Sequence, residues 1–408
     1  MAVLEKFHSD VVNFQIDGIR MIGNNRTGSI IGLDDNGTNF VENIARGEEI
    51  DVTGENEILY SALKEGHYFV EDEKSENKIV SAYFHVTDRC NFHCLGCYSY
   101  VDSRNSKKDL SIEQLFYELD ELAENGVKAI VISGGEPFLR EDIDEICKYA
   151  KKLGMITNII TNGTMPDIRY KKALPYIDGI SVSVDGYNEK TSFIRDKGTM
   201  PIVLGTVKML KEQGANVNLI FTLHHKNASY LYHYKKLAEQ LEVTYNFSIL
   251  TASPKESIFA DYVLRKEDFD YMEKFLNHNK AVITDSAMES EGLSCKSRCG
   301  AGKLLVSIAA DGTVYPCHML HVQELSLGNV LDSKLRDIVF NENNPFLNLD
   351  IHNIKECDSC KYGNFCGGGC RARSYLQTGS IYKNSDICGV SYNNLDRKFT
   401  GLKKAYGL

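Results

Sequence analysis

The sequence predicts an α/β protein: six parallel strands alternating with helices, preceded by a small acidic α+β unit and followed by a cysteine-rich tail. Three observations carry this. Apolar stretches at 81–87, 128–133, 155–161, 179–185, 216–223 and 243–250 are separated by helical patterns, and such alternation implies right-handed crossovers and a parallel sheet. Three cysteines, Cys90, Cys94 and Cys97, share one loop after the first of these strands. That is the C-terminal end of the strand, where α/β barrels place their chemistry. Eight of the 12 cysteines lie beyond residue 281, among many glycines.

Residues 1–75 form the first unit. The stretches 11–16 and 29–33 read as strands around turn residues. Phe40, Val41 and Ile44 then share a helical face, as do Ile58, Leu59, Ala62 and Leu63, with Gly66 as a C′ stop. The unit carries 15 acidic against 6 basic residues, which leaves −9 of the −10 for the whole chain. That charge disfavours a DNA-binding winged helix, because duplex DNA is held largely through cations on phosphates. The polar run 71–78 reads as a linker.

Residues 80–280 hold the strand–helix alternation. Its clearest helix starts after Ser111 as N-cap, runs on a stripe of Ile112, Leu115, Phe116, Leu119 and Leu122, and stops at Gly126. Cys147 shares a face with Ile143, Ile146, Ala150 and Leu153 and reads as a buried structural thiol. His224 and His225 end the fifth strand and point to opposite faces; neither reads as a ligand.

Residues 281–408 are the third unit; a stretch so rich in Cys and Gly is expected to bury little apolar surface and to use metal as its staple. No apolar run is long enough to span a membrane, and the start lacks the pattern of a signal peptide. A cytoplasmic, reducing setting follows, in which the cysteines serve as metal ligands rather than disulfides. The charge of −10 argues against a general affinity for nucleic acid or anionic membranes.

The loop reads His85-Val86-Thr87-Asp88-Arg89-Cys90-Asn91-Phe92-His93-Cys94-Leu95-Gly96-Cys97-Tyr98. Three thiolates hold three irons of a four-iron cluster, whereas an electron carrier normally has four cysteine ligands. One iron is then open to a ligand. A zinc knuckle is the alternative for the same three residues. The C-x3-C-x2-C spacing resembles the signature of the radical S-adenosylmethionine (SAM) enzymes. The resemblance implies a [4Fe–4S] cluster that binds SAM and cleaves it to a 5′-deoxyadenosyl radical. It also implies a six-stranded partial (β/α)6 TIM-like barrel, which the strand count fits.

The same resemblance assigns further residues. Gly134-Gly135-Glu136-Pro137, after the second strand, matches the run that contacts the amino group of SAM. Ser183, in Ser183-Val184-Asp185-Gly186, is implied on the ribose. Arg195 is implied on the carboxylate, which its two-pronged donor geometry suits. The His-Asp usual before that Arg is replaced here by Thr191-Ser192. Tyr98 follows the third cysteine, and either covers the adenine or packs.

In the tail, Cys299-x12-Gly312-x4-Cys317 is followed by Cys357-x2-Cys360-x5-Cys366-x3-Cys370 and then Cys388. This resembles the SPASM domain of radical SAM peptide maturases, with Cys295 as an added thiol. The resemblance implies two auxiliary [4Fe–4S] clusters, one on Cys295, Cys299, Cys317 and Cys370, the other on Cys357, Cys360, Cys366 and Cys388. If Cys295 is not a ligand, the first of these has an open iron. Zinc is the competing occupant of such thiolate sets.

The first unit resembles the PqqD-like peptide-recognition domain of such maturases, on Gly28-Ser29-Ile30-Ile31-Gly32-Leu33-Asp34-Asp35-Asn36-Gly37-Thr38 and Gly47-Glu48-Glu49-Ile50-Asp51-Val52. Such domains add a leader peptide to a sheet edge. Together these resemblances imply a maturase that installs a thioether or carbon–carbon crosslink in a ribosomally made precursor peptide. Its partners would be that peptide, bound through its leader, and an external one-electron reductant. Formylglycine formation in a sulfatase and a zinc-stapled, non-catalytic peptide-binding protein are the alternatives. No residue is singled out as base or radical relay.

Overall fold

The computed structural model describes residues 2–70, 78–250, 257–279, 281, 283 and 293–407. The run read as a linker lies outside them, apart from Lys78.

The first unit comprises β1 (Ala2–Val3), β2 (Val11–Ile16), β3 (Ile19–Asn24), β4 (Ile30–Leu33), α1 (Asp35–Arg46), β5 (Ile50–Asp51) and α2 (Glu55–Glu65). β2, β3 and β4 form an antiparallel meander, and β1 pairs with β5. The sequence reading missed β3. Its signal was Asp17-Gly18 between apolar runs: both residues take positive φ, 50° and 84°, as a tight hairpin turn requires. α1 starts where the Asp34 side chain accepts the Gly37 N–H at 2.7 Å, a cap worth about 1 kcal/mol. Gly66 does end α2, but at φ −79°. It is His67 that turns left-handed, at φ 54°. Gly66 is required by space instead: a Cβ there would lie 2.4 Å from the Tyr68 ring.

The middle unit alternates β6 (Ser81–His85), α3 (Ile112–Glu124), β7 (Ala129–Ser133), α4 (Ile143–Lys152), β8 (Ile156–Thr161), α5 (Asp167–Ala173), β9 (Gly179–Val184), α6 (Met200–Glu212), β10 (Val217–Leu223), α7 (Leu231–Leu241), β11 (Thr244–Ile249) and α8 (Lys266–His278). Strands β6 to β11 pair in parallel in chain order. Alternate residues such as Phe84, Ile132, Val182 and Phe221 are buried in one large core with the helices. α3 carries the capping box Ser111–Gln114, each side chain bonded to the other's backbone. Cys147 is fully buried in the core, as expected.

The tail adds β12 (Leu305–Ile308), β13 (Thr313–Tyr315), β14 (Gly328–Asn329), α9 (Leu335–Val339), α10 (Lys355–Asp358), α11 (Gly363–Cys366), α12 (Arg371–Thr378) and α13 (Cys388–Tyr406). β12 pairs in parallel with β6, and β13 and β14 follow antiparallel, extending one sheet to nine strands. The expectation that the tail buries little apolar surface fails here. Val306, Ile308, Val314, Val330, Leu335 and Val339 enter the main core, because β12 lies beside a strand more than two hundred residues earlier in the chain.

The first unit packs on the tail. Ile16 and Met21 share a core with Tyr362, Phe365, Leu395 and Phe399. Lys361 pairs with Asp17 at 2.9 Å. Among the described residues no helix is long and apolar enough to cross a membrane.

Candidate active site and sulfur centres

Hydrogen bonds from backbone and side chains fix the cysteine loop to the ends of three strands. The N–H groups of Gly135 and Glu136, after β7, donate to the carbonyls of Thr87 (2.7 Å) and Arg89 (2.8 Å). A Cβ on Gly134 would lie 2.2 Å from the Thr87 oxygen, and one on Gly135 2.1 Å from the Arg89 oxygen. Only glycine permits that approach. After β8, Asn162 donates to Asn91 at 2.8 Å. After β9, the Ile194 carbonyl accepts from Leu95 at 2.8 Å, and Asp196 accepts the His93 N–H at 3.2 Å. Asn105 clamps Cys90 twice, accepting its N–H at 2.9 Å and donating to its carbonyl at 3.0 Å.

The loop forms one wall of a cavity open to solvent. Cys90, Cys94, Cys97, Gly134, Gly135, Ser183 and Arg195 all line it. Arg104 donates to the Cys97 sulfur at 3.6 Å and Arg195 to the Cys94 sulfur at 3.8 Å. Burial pushes the Cys90 thiol up to about 11 and the Cys94 thiol upward, with Arg195 opposing the second. A bound cation reverses that balance and deprotonates coordinating thiols. Three thiols on one cavity wall, flanked by two guanidinium groups, fit a three-thiolate cluster and the negative charge it carries.

Glu136 does not line this cavity. It is fully buried, and its carboxylate accepts from the Asn162 N–H (2.7 Å), the Thr161 hydroxyl (2.8 Å) and the Phe138 N–H (3.1 Å). Burial pushes its carboxyl up to about 7 against those bonds. In this geometry it fastens β7 to β8 behind the wall.

Arg195 is positioned by Asp185, a residue not assigned a role from sequence although it stands in the Ser183-Val184-Asp185-Gly186 run. One Asp185 oxygen accepts the N–H groups of Phe193 (2.5 Å) and Ile194 (2.6 Å). The other lies 3.7 Å from Nε2 of the buried His224. His225 instead meets Asp268 at 2.8 Å, so neither histidine lines the cavity.

Tyr98 lines the cavity with its hydroxyl 2.5 Å from that of Ser133, and burial pushes its phenol up to about 12. Its ring packs edge-on against His318, at 5.3 Å, and His85, at 6.1 Å. His318 and Met319, which follow Cys317, also line the cavity, so the tail closes part of the site. Sequence reasoning missed both, because the contact depends on β12 and β13 extending the sheet.

The tail cysteines separate into groups. Cys357, Cys360, Cys366 and Cys388 line a second, smaller cavity. Cys299, Cys317 and Cys370 share one apolar cluster. Cys295 stands apart against the first unit: its N–H donates to the Gly28 carbonyl at 2.9 Å and its thiol to Asn25 at 3.3 Å. Among the described residues no three His, Cys, Asp or Glu side chains converge on a single bare ion.

Residues 84–238 match the family model described as the radical SAM superfamily, and residues 299–361 the one described as SPASM, iron-sulfur cluster-binding domain. Among curated proteins, the AdoMet-dependent heme synthase of Methanosarcina barkeri (strain Fusaro / DSM 804) is 26% identical over 333 residues, 74% of this chain and 94% of that one. The Fe-coproporphyrin III synthase of the same organism is 34% identical over 156 residues, 38% of this chain and 39% of that one. Among solved structures, anSMEcpe with bound AdoMet superposes with a TM-score of 0.66 at 20% identity, covering 80% of this chain and 95% of its own. Streptococcus suis SuiB bound to precursor peptide SuiA gives 0.60 at 14% identity, covering 94% of this chain and 100% of its own. Both likenesses show the fold. The chain carries a radical SAM domain, which binds a [4Fe–4S] cluster and SAM, and a SPASM domain, which binds auxiliary iron–sulfur clusters.

Proposed function

From a radical SAM domain joined to a SPASM domain, we propose that the protein is a cytoplasmic peptide maturase that crosslinks a ribosomally made precursor, forming a thioether or carbon–carbon bond. The observation that carries it is the cavity in which Cys90, Cys94, Cys97, Ser183, Arg195 and the tail residue His318 meet. When bound, the cluster and SAM supply an electron and a 5′-deoxyadenosyl radical able to take hydrogen from carbon. The residues do the rest. Arg195, fixed by Asp185, holds the SAM carboxylate. Gly134 and Gly135 bring backbone close to its amino end, and Ser183 meets its ribose. The tail closes the substrate side through His318 and Met319.

The first unit supports a peptide substrate, because its PqqD-like pattern and antiparallel meander suit a leader added at an edge. It packs on the tail, the same unit that supplies His318 and Met319 to the cavity. SuiB, solved with a precursor peptide, matches over 94% of this chain, whereas anSMEcpe, solved with and without a peptide, matches over 80%. That difference favours a leader-guided maturase over sulfatase maturation. The curated relatives named for heme and Fe-coproporphyrin III supply a second reading, a porphyrin substrate.

The test is mass spectrometry of anaerobic reactions with SAM and a one-electron reductant. Candidate peptides come from short reading frames beside this gene, with and without their leaders. Loss of two hydrogens from a leader-bearing peptide is expected. Modification of an iron porphyrin with every peptide left intact would overturn the maturase reading.

A further inference from the structure

Arg371 opens α12, one residue after Cys370, and is only 1% exposed. Its Nη1 donates to the carbonyls of Ile381 (2.8 Å) and Lys383 (2.9 Å), and its Nε to that of Gly369 (3.3 Å). Its Nη2 is buried and has no hydrogen-bond partner. Among the described residues no carboxylate pairs with this guanidinium. Removing an ion from water costs several kcal/mol even after relaxation, and buried charges are normally paired or bound to metal. Carbonyl dipoles alone leave that cost uncompensated, and among the described residues no carboxylate offsets it.

The orphan nitrogen stands beside a glycine run. A Cβ on Gly368 would lie 3.6 Å from Nη2, and one on Gly369 3.9 Å. Gly368 and Gly369 line the cavity shared by Cys357, Cys360, Cys366 and Cys388. Gly367, Gly368 and Gly369 have φ of 64°, 80° and 73°, a conformation that favours glycine. The run itself places no side chain between the guanidinium and the cavity that the four cysteines line.

We propose that Arg371 is the built-in counter-charge of the second auxiliary centre, facing its anionic thiolates across Gly368–Gly369 and setting how readily that centre accepts an electron. This rests on the iron–sulfur reading of the tail. Cluster potential depends on net charge and on hydrogen bonds to sulfur, so a neighbouring cation favours the more negative, reduced form. Arg371 touches no substrate and acts only through the centre.

The experiment uses the full chain with Cys90, Cys94 and Cys97 replaced by Ala, so that only auxiliary centres report. Arg371→Lys keeps the charge and Arg371→Gln removes it. Iron and acid-labile sulfide are counted, and each protein is titrated redox-potentiometrically with electron paramagnetic resonance as the readout. The Lys variant should titrate like its parent. The Gln variant should shift one auxiliary signal to lower potential, or lose about four irons, with the other signal unmoved. Lys and Gln variants that behave alike, whether both keep the parent's potentials or both lose the centre, would overturn the proposal. A parent without sulfide would sink the iron–sulfur reading itself.

Discussion

Cys90, Cys94 and Cys97 hang from the edge of a large parallel sheet, while Cys357, Cys360 and Cys366 sit on or between helices of four residues each. The first set is held from outside: residues after β7, β8 and β9 all bond the loop, and the three thiols face a solvent-open cavity. The second set has little scaffold of its own, and its four cysteines line one smaller cavity. One arrangement leaves room for a reacting ligand beside the sulfurs. The other suits a closed centre that stabilises its own surroundings and passes electrons. Rigidity is inherited from the sheet in the first case and must come from the bound group in the second.

The largest expected effect separates the two by stability. Removing iron with a chelator should open the tail first, so that limited proteolysis cuts within 355–390 while 80–250 stays protected. Simultaneous loss of both would break the comparison. The next effect is on the loop alone. Gly135→Ala puts a Cβ 2.1 Å from the Arg89 carbonyl oxygen, and displacing the loop by about 1 Å is expected to cost about 10²-fold in SAM cleavage. Auxiliary iron should be unchanged; cleavage at the parent rate would show that the fit is looser than described.

A third effect lies in pH. Burial raises Glu136 from 4.5 to about 7, so the folded protein retains a proton that the unfolded chain releases. That stabilisation is full below about pH 4.5 and is lost as the pH rises through about 7, by up to about 3 kcal/mol. Urea unfolding across this range should show the decline, and Glu136→Gln should flatten it. An unchanged slope would mean the carboxyl is ionised throughout. The smallest effect is on the scaffold: Ser111→Ala removes the cap of α3 and should cost about 1 kcal/mol of stability, with SAM cleavage per folded protein unaltered.

The six central strands were legible because each is a local apolar run bounded by a helical pattern. The loop cysteines and Gly134–Gly135 were legible because their spacing is itself the chemistry. Glu136 was legible as part of the Gly134–Pro137 run, but its bonds to Thr161 and Asn162 were not, because those residues lie one strand away. β3 was missed although Asp17-Gly18 announced its turn. β12 could not be read locally, since four residues gain their meaning from pairing with β6, and His318 reaches the cavity through that pairing. The contact of the Cys295 thiol with Asn25 of the first unit could not be read from spacing, since the two residues meet only through the packing of the first unit on the tail.

The central claim is that an open three-thiolate cluster works beside auxiliary centres held by the tail cysteines. Its most direct test is to purify the chain anaerobically, count iron and sulfide, and assay 5′-deoxyadenosine after reduction, alongside the variant with Cys90, Cys94 and Cys97 all changed to Ala. About twelve irons in the parent and about eight in the variant, with 5′-deoxyadenosine made only by the parent, is the predicted result. Zinc without sulfide, or SAM cleavage that survives the triple change, would contradict it.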